Sequence, residues 1–312
     1  MKIFLIGPSC VYRMVMGFGL MVFVLRGFLL AGGNGTTSGE FLMMPVSARG
    51  VGMGGTGVSY LSGAESVSVN PASMGLGADR DIRLTHGSMG DSVSMDTLAY
   101  AQKTGGGGFG LAVRYQGWGS EMGRDVGNNE MEKITPNDLS LAGGYGHTFG
   151  FGSVGGAVKY VKSTLVETVS TVTGDLGYAT PLFWGVHELR GGVAVNNLMG
   201  SLKYDKESSD LPRVVRFGAD GLVVSSWRVA VEWSQPKGGD PYGGIGTEYV
   251  LARGVWDFAV RGGYTTESED VSGTSGVSVG FGVKCGVLVV DYAYKPLGDL
   301  GDTHWITLGY KR

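Results

Sequence analysis

From Asp79 to the C-terminus, apolar residues recur at every second position in one short run after another. Phe109, Leu111, Val113 and Tyr115 alternate with Gly110, Ala112, Arg114 and Gln116. Trp227, Val229, Val231 and Trp233 are interleaved with Arg228, Ala230 and Glu232, and Val277, Val279, Phe281 and Val283 with Ser278, Gly280 and Gly282. A period of two is the side-chain repeat of a strand with one apolar face. The runs predict about fourteen strands, near residues 80–88, 92–103, 107–118, 136–148, 152–164, 168–180, 188–198, 212–221, 225–235, 242–252, 254–265, 272–283, 285–296 and 302–312. No helical period is sustained anywhere in this region.

Alternation alone fits a half-buried soluble sheet as well as a membrane barrel. Aromatic placement separates the two. Trp256 and Tyr264 bracket one run on its apolar face, which at the usual rise and tilt sets them ~20 Å apart along a membrane normal, near the ~25 Å band between aromatic girdles. An even strand count suits a single-chain barrel, as do connections that are long on one side and short on the other. The two longest, 119–135 and 199–211, fall on the same side. The turns at 103–106, 149–151 and the Lys284-Cys285 junction fall on the opposite side and are short, although 87–91 is a short turn on the long-loop side. The expected fold is an all-β, transmembrane, antiparallel barrel over residues 79–312.

The stretch before it, Met44–Gly75, breaks the pattern. Gly50, Gly52, Gly54, Gly55, Gly57 and Gly63 crowd together among small residues, and Asn70-Pro71 marks a turn. Two G-x-G-x-x-G matches occur here, but without a preceding buried strand or a βαβ unit they do not make a dinucleotide site. Residues 34–78 are therefore expected to form a glycine-rich plug or hatch inside the barrel, with 34–43 a flexible start. Residues 1–33 read as a signal peptide, with a basic start, an apolar run from Met14 to Leu25 too short to span a bilayer, and Ala31-Gly32-Gly33 as the cleavage site.

Composition narrows the function classes. Fifty-eight glycines in 312 residues lack the collagen period, and aromatics dispersed at strand spacing argue against disorder. The net charge of −3, which becomes −6 without the leader, offers no basic stripe for nucleic acid. Loss of Cys10 with the leader leaves Cys285 as a lone thiol, with no disulfide framework or cysteine metal site.

On the inward positions stand Arg114, Lys159, Asp175, Arg216, Asp220, Arg228, Glu232, Asp257, Arg261 and Asp291. Their mixed signs suit charge pairing in a polar lumen better than a selective constriction of one sign. The four histidines are scattered singly, so neither a metal nor another cofactor is expected. Asp299, Asp302 and His304, with Ser275 across neighbouring strands, would sketch an acid, a base and a nucleophile. A Gly- and Asp-rich external turn explains them without catalysis, and no catalytic residue or enzyme activity is expected.

Ala48, Arg49, Gly52, Met53, Gly54, Gly55 and Thr56, followed by Asn70-Pro71-Ala72, resemble the N-terminal signature of the PorV/PorQ family and related FadL-like outer-membrane barrels. Asp291, Tyr292, Tyr294, Pro296, Gly298, Leu300, Gly301, Thr303 and His304 resemble the hairpin with which that family often closes, although the chain ends Tyr310-Lys311-Arg312 and not on an aromatic residue. The PorV/PorQ resemblance implies an outer-membrane protein, exported through its signal peptide and surrounded by outer-membrane lipid. It further implies association with protein export or surface attachment of the type IX kind, a secreted partner meeting loops 119–135 and 199–211. The FadL side of the resemblance implies a passive channel for hydrophobic small molecules, with Met53, Val58, Tyr60 and Leu61 lining a route past the plug. The polar character of GSEMGRDVGNNEMEKIT favours the partner-binding expectation over uptake.

Overall fold

The computed structural model describes residues 37–90, 92–124, 130–182, 188–268, 276–298 and 301–312. The expected signal peptide lies outside the described residues, as do Ser275, Asp299 and Leu300. Fourteen antiparallel strands close into one barrel. They are β1 (Arg80–Met89), β2 (Val93–Thr104), β3 (Gly107–Gly117), β6 (Asn137–Phe149), β7 (Gly152–Thr164), β8 (Thr168–Ala179) and β9 (Arg190–Asn196), then β12 (Val214–Val224), β13 (Trp227–Pro236), β14 (Tyr242–Arg253), β15 (Trp256–Thr265), β16 (Val277–Cys285), β17 (Leu288–Pro296) and β18 (Asp302–Lys311). Closure comes from β1, which pairs along one edge with β2 and along the other with β18, Ile82 opposite Tyr310 and Leu84 opposite Leu308.

The period-two pattern resolves into two faces. Leu111, Val113, Val158, Val231, Val260, Val279 and Leu308 point outward and are exposed, whereas Arg114, Lys159, Glu232, Arg261 and Asp291 point inward and are buried. An apolar exterior around a polar interior inverts a soluble protein and is what a bilayer requires of a barrel, whose closure gives the strands neighbours on both edges. Trp256 and Tyr264 stand on the outer face at the two ends of β15.

Two small hairpins project from the end that carries the long connections, the end that the loop-length rule expects to be external. β4 (Glu121–Arg124) pairs with β5 (Glu130–Ile134), and β10 (Ser201–Tyr204) with β11 (Glu207–Asp210). From sequence both segments are expected as loops, because four- and five-residue polar strands carry no apolar alternation, and the turn before β17 is expected at Lys284-Cys285. In the structure β16 runs through Cys285 and the chain reverses at Gly286, whose φ of 57° suits glycine.

One junction in the wall is short. β7 and β8 share twelve paired positions, but β8 and β9 share four, Leu176–Ala179 against Val195–Gly192. Above those four, one backbone bond from Leu198 N–H to the Gly174 carbonyl at 2.9 Å is joined by side chains: Lys159 Nζ lies 2.7 Å from Asp175 and donates to Asn197 Oδ1 at 2.9 Å, while the Asn197 N–H donates to Asp175 Oδ1 at 2.8 Å.

Candidate functional site

The plug fills the lumen from the external end downward. Residues 34–43 were expected to be flexible. The described part, from Thr37, is instead docked as a strap: Thr37 bridges Asp210 of β11, and the Ser38 N–H donates to the Asp210 carbonyl at 3.0 Å. Phe41 and Leu42 account for the difference, because both are buried in a cluster with Val161, Leu202, Leu211 and Trp305. Arg114 reaches up from β3 to donate to the Leu42 and Met44 carbonyls, so its inward charge serves the plug backbone and not an acid.

Below the strap, Ser47 caps a helical turn over Ala48–Gly52 by accepting from Gly50 N–H. The Ala48 N–H donates to Thr307 Oγ1 at 2.9 Å. Arg49 forms a two-pronged pair with Glu248 at 2.7 and 3.0 Å and lies 5.0 Å over the Tyr60 ring. Glu248 also accepts from Arg261, Arg261 donates to Asp291 at 2.7 Å, and Arg83 stands 3.9 Å from Asp291 and from Glu65 while donating to Asp81. A relay of alternating charge on the wall thus joins two points of the plug, Arg49 and Glu65. Burial pulls the Arg49 guanidinium down, but Glu248 outweighs it and holds that pKa above the ordinary value. For Glu65, burial raises the carboxyl, yet Arg83 and Arg49 together hold it below the usual range. Burial pushes the Tyr60 phenol up.

From Gly52 to Gly75 the plug rests on glycines of the wall. A β-carbon at Gly146 would come within 2.5 Å of the Pro71 carbonyl oxygen, one at Gly108 within 2.7 Å of Gly75 Cα, and one at Gly244 within 2.7 Å of the Gly54 carbonyl oxygen. Gly155, Gly192, Gly246 and Gly263 approach the plug backbone in the same way. Several plug polar groups are met by the wall or by the plug itself: Gly57 and Val58 N–H donate to Glu232, Gly54 N–H to Ser278, and Asn70 donates to the Val58 and Tyr178 carbonyls while accepting from Ala72 N–H beyond Pro71. At these positions glycine provides a seat for backbone against backbone.

Between strap, plug and outer wall remains a cavity of about 300 Å³. Leu42, Met43, Met44, Pro45 and Val46 roof it, Val51, Leu61 and Val69 form the plug side, and Met89, Leu297, Thr303 and Trp305 the wall. Trp305 lies flat against Gly87, where a β-carbon would come within 2.5 Å of the indole. Arg216, Tyr242, Glu267 and Lys295 supply the polar edge. A small, mostly apolar space with a few polar groups has the character of a small-molecule site at the lower end of the usual size range.

Of the expected route residues, Leu61 borders this cavity, whereas Met53, Val58 and Tyr60 are buried in the packed plug beneath it. Gly55, with φ 76°, also borders it. From the closing hairpin, Thr303 lines the cavity and Asp291 belongs to the charge relay. Pro296 ends β17, Gly298 and Gly301 take positive φ in the turn, and His304 faces outward, accepting from or donating to the Tyr292 hydroxyl at 2.8 Å. Sequence reasoning missed Met43, Met44, Met89, Tyr242, Glu267 and Trp305. The run Phe41-Leu42-Met43-Met44 was the available signal, being four large apolar residues in a segment read as loose.

No family model matches the chain, and no curated protein matches its sequence. Solved structures do share its fold. The toluene transporter TbuX of Ralstonia pickettii superposes with a TM-score of 0.62 at 14% identity, covering 87% of this chain and 99% of that one. The Pseudomonas putida toluene transporter TodX gives 0.58 at 12% identity over 90% and 98% of the two chains. A Pseudomonas aeruginosa FadL homologue gives 0.55 at 10% identity over 85% and 98%. At such identities the likeness is one of fold alone, a closed antiparallel barrel of fourteen strands.

Proposed function

We propose that this protein is an outer-membrane channel for small hydrophobic molecules, which it takes from the external side into the cavity beneath the strap. The apolar cavity walled by Met43, Met44, Leu61, Met89 and Trp305 carries this reading. Methionine and indole surfaces adapt to apolar ligands of varied shape. The fold neighbours named as toluene transporters support it. Onward passage would follow the plug past Leu61, Tyr60, Val58 and Met53, where the backbone contacts must part. Crystals soaked in bromobenzene test the site: a bromine anomalous peak beside Trp305 and Met44 is expected, and an empty cavity at saturating ligand would overturn the proposal.

A second reading, of the PorV/PorQ type, has the chain hold a secreted protein or a component of a secretion system. The two external hairpins favour it, since β10–β11 carries Lys203, Asp205, Lys206 and Glu207 into solvent, a hydrated surface suited to protein contact. Deletion of 120–134, followed by parallel assays of secreted-protein retention and hydrocarbon uptake, separates the readings. Loss of uptake with secretion intact is the expected result.

A further inference from the structure

We infer that the cavity recognises, within the apolar class, molecules that carry a hydrogen-bond-accepting oxygen at one end, and that Arg216 is the residue that reads it. This rests on the reading of the cavity as a hydrophobic-ligand site. Net charge selects nothing here, since Glu40 and Glu267 on the lining are balanced by Arg216 and Lys295. The charges are matched, but the hydrogen-bond donors are not. Arg216 lies on β12 with its side chain largely buried, and Glu232 stands 3.7 Å from its Nη1, beyond hydrogen-bond reach. Glu232 turns its other oxygen to the plug, where Gly57 and Val58 N–H donate to Oε2 at 2.7 and 2.9 Å. Among the described residues no oxygen accepts from the Arg216 guanidinium, and its Nε is buried without a partner.

The threonine hydroxyls around the space are occupied. Thr56 Oγ1 donates to the Met53 carbonyl at 2.8 Å, Thr303 Oγ1 donates to the Lys295 carbonyl at 2.8 Å, and Thr265 Oγ1 accepts from Glu267 N–H at 3.2 Å. A guanidinium carries five N–H donors in a fixed fork and no acceptor. Left unmet away from bulk water such donors are costly, so an acceptor brought in by a ligand counts for more than it would in solution. Position gives the ligand its shape. Arg216, Tyr242 and Thr265 come from β12, β14 and β15, whereas Met89, Thr303 and Trp305 come from β1 and β18. A molecule spanning the space therefore has methionine and indole around its apolar body and a donor fork at one end. Because Glu232 already answers the guanidinium charge, a neutral carbonyl or ether oxygen completes the site without adding charge.

Acetophenone and α-methylstyrene have one shape and differ by an oxygen in place of a methylene, so they isolate that contact. Binding of each is measured at pH 7 to the full-length protein in nanodiscs, with empty nanodiscs to subtract partition into lipid. Arg216→Met should weaken acetophenone on the order of tenfold, the usual worth of a hydrogen bond to a charged group, and weaken α-methylstyrene far less. Arg216→Met/Glu232→Gln removes the acid that the single variant leaves without its cation, and should show the same split. The infrared carbonyl stretch of acetophenone is a readout that a merely structural role would not move. It should lie at lower frequency on the wild type than in empty nanodiscs, and return toward that value in both variants. Equal weakening of the two ligands, no weakening of acetophenone, or an unshifted stretch on the wild type would overturn the inference and leave the cavity reading in place. Failure of both ligands to bind the wild type would overturn the cavity reading, and this inference with it.

Discussion

Two stretches of one plug meet the same barrel in opposite ways. Between Gly52 and Gly75 the plug lies backbone to backbone on wall glycines, with its polar groups taken up by Glu232, Ser278 and Asn70. Between Thr37 and Val46 it meets the wall through side chains, Phe41 and Leu42 packing with Val161 and Trp305, and a cavity opens beside Met43 and Met44. The contrast teaches where room comes from in a closed barrel. Glycine on the wall lets two backbones meet and leaves no space, while a large side chain such as Trp305 holds surfaces apart and lines what is left. The lower plug is then a seal and the upper strap a roof.

The seal is the more sensitive of the two regions. Arg83→Met would leave Asp81, Glu65 and Asp291 facing one another without their shared cation, and breaking a buried ion network typically costs ~3–5 kcal/mol. Urea unfolding in lipid should register that loss, and an unchanged midpoint would show that the relay does not bind plug to wall. Phe41→Ala tests the roof. Removal of a buried phenylalanine costs about 3 kcal/mol, but here it should free the strap and leave the barrel intact, which hydrogen exchange at residues 38–44 against unchanged exchange in β14–β16 would reveal.

A matched pair of glycine variants sharpens the comparison further. Gly146→Val drives a side chain into the Pro71 carbonyl and should cost ~1–3 kcal/mol with increased conductance in planar bilayers. Gly156→Val, on the other side of the wall where the nearest neighbours stand at 3.6 Å, should be tolerated. Equal tolerance of both would mean the glycine seat is not a seal.

The smallest effect is that of pH. Glu65 has its pKa lowered in the folded protein, so its contribution is present above the ordinary carboxylate range of about 4.3 and is lost as pH falls through the folded value. Tyr60 has the opposite sense, with a raised pKa whose contribution is present below about pH 10 and is lost as pH rises beyond it. Protease protection of the plug should accordingly stay level from pH 5 to 9 and weaken outside those limits, whereas protection of the strap, held by Phe41 and Leu42, should not follow the acid limb.

The barrel was legible because every strand of its wall must show lipid one face and the lumen another, and that alternation recurs in the wall strands between Ile82 and Leu308. The plug was legible as glycine among small residues, and its closing turn as Asn70-Pro71. What the sequence concealed depends on contacts distant along the chain. Arg49 and Glu248 lie 199 residues apart, and nothing local marks Glu248 as a plug partner and not simply a lumen charge. The wall glycines read as weak strand formers until the Pro71 and Gly54 backbones are seen against them. The cavity was hidden for the same reason, since Met43, Tyr242 and Trp305 come from three ends of the molecule and define a space only when the barrel closes.

The central claim is that the space beneath the strap admits the transported molecule and the packed plug below it controls onward passage. Met44→Trp fills that space without touching the glycine seat. Uptake of radiolabelled toluene into proteoliposomes should fall at least tenfold in Met44→Trp, with gel migration and plug protection as in the wild type. Uptake at the wild-type rate in that variant would contradict the account.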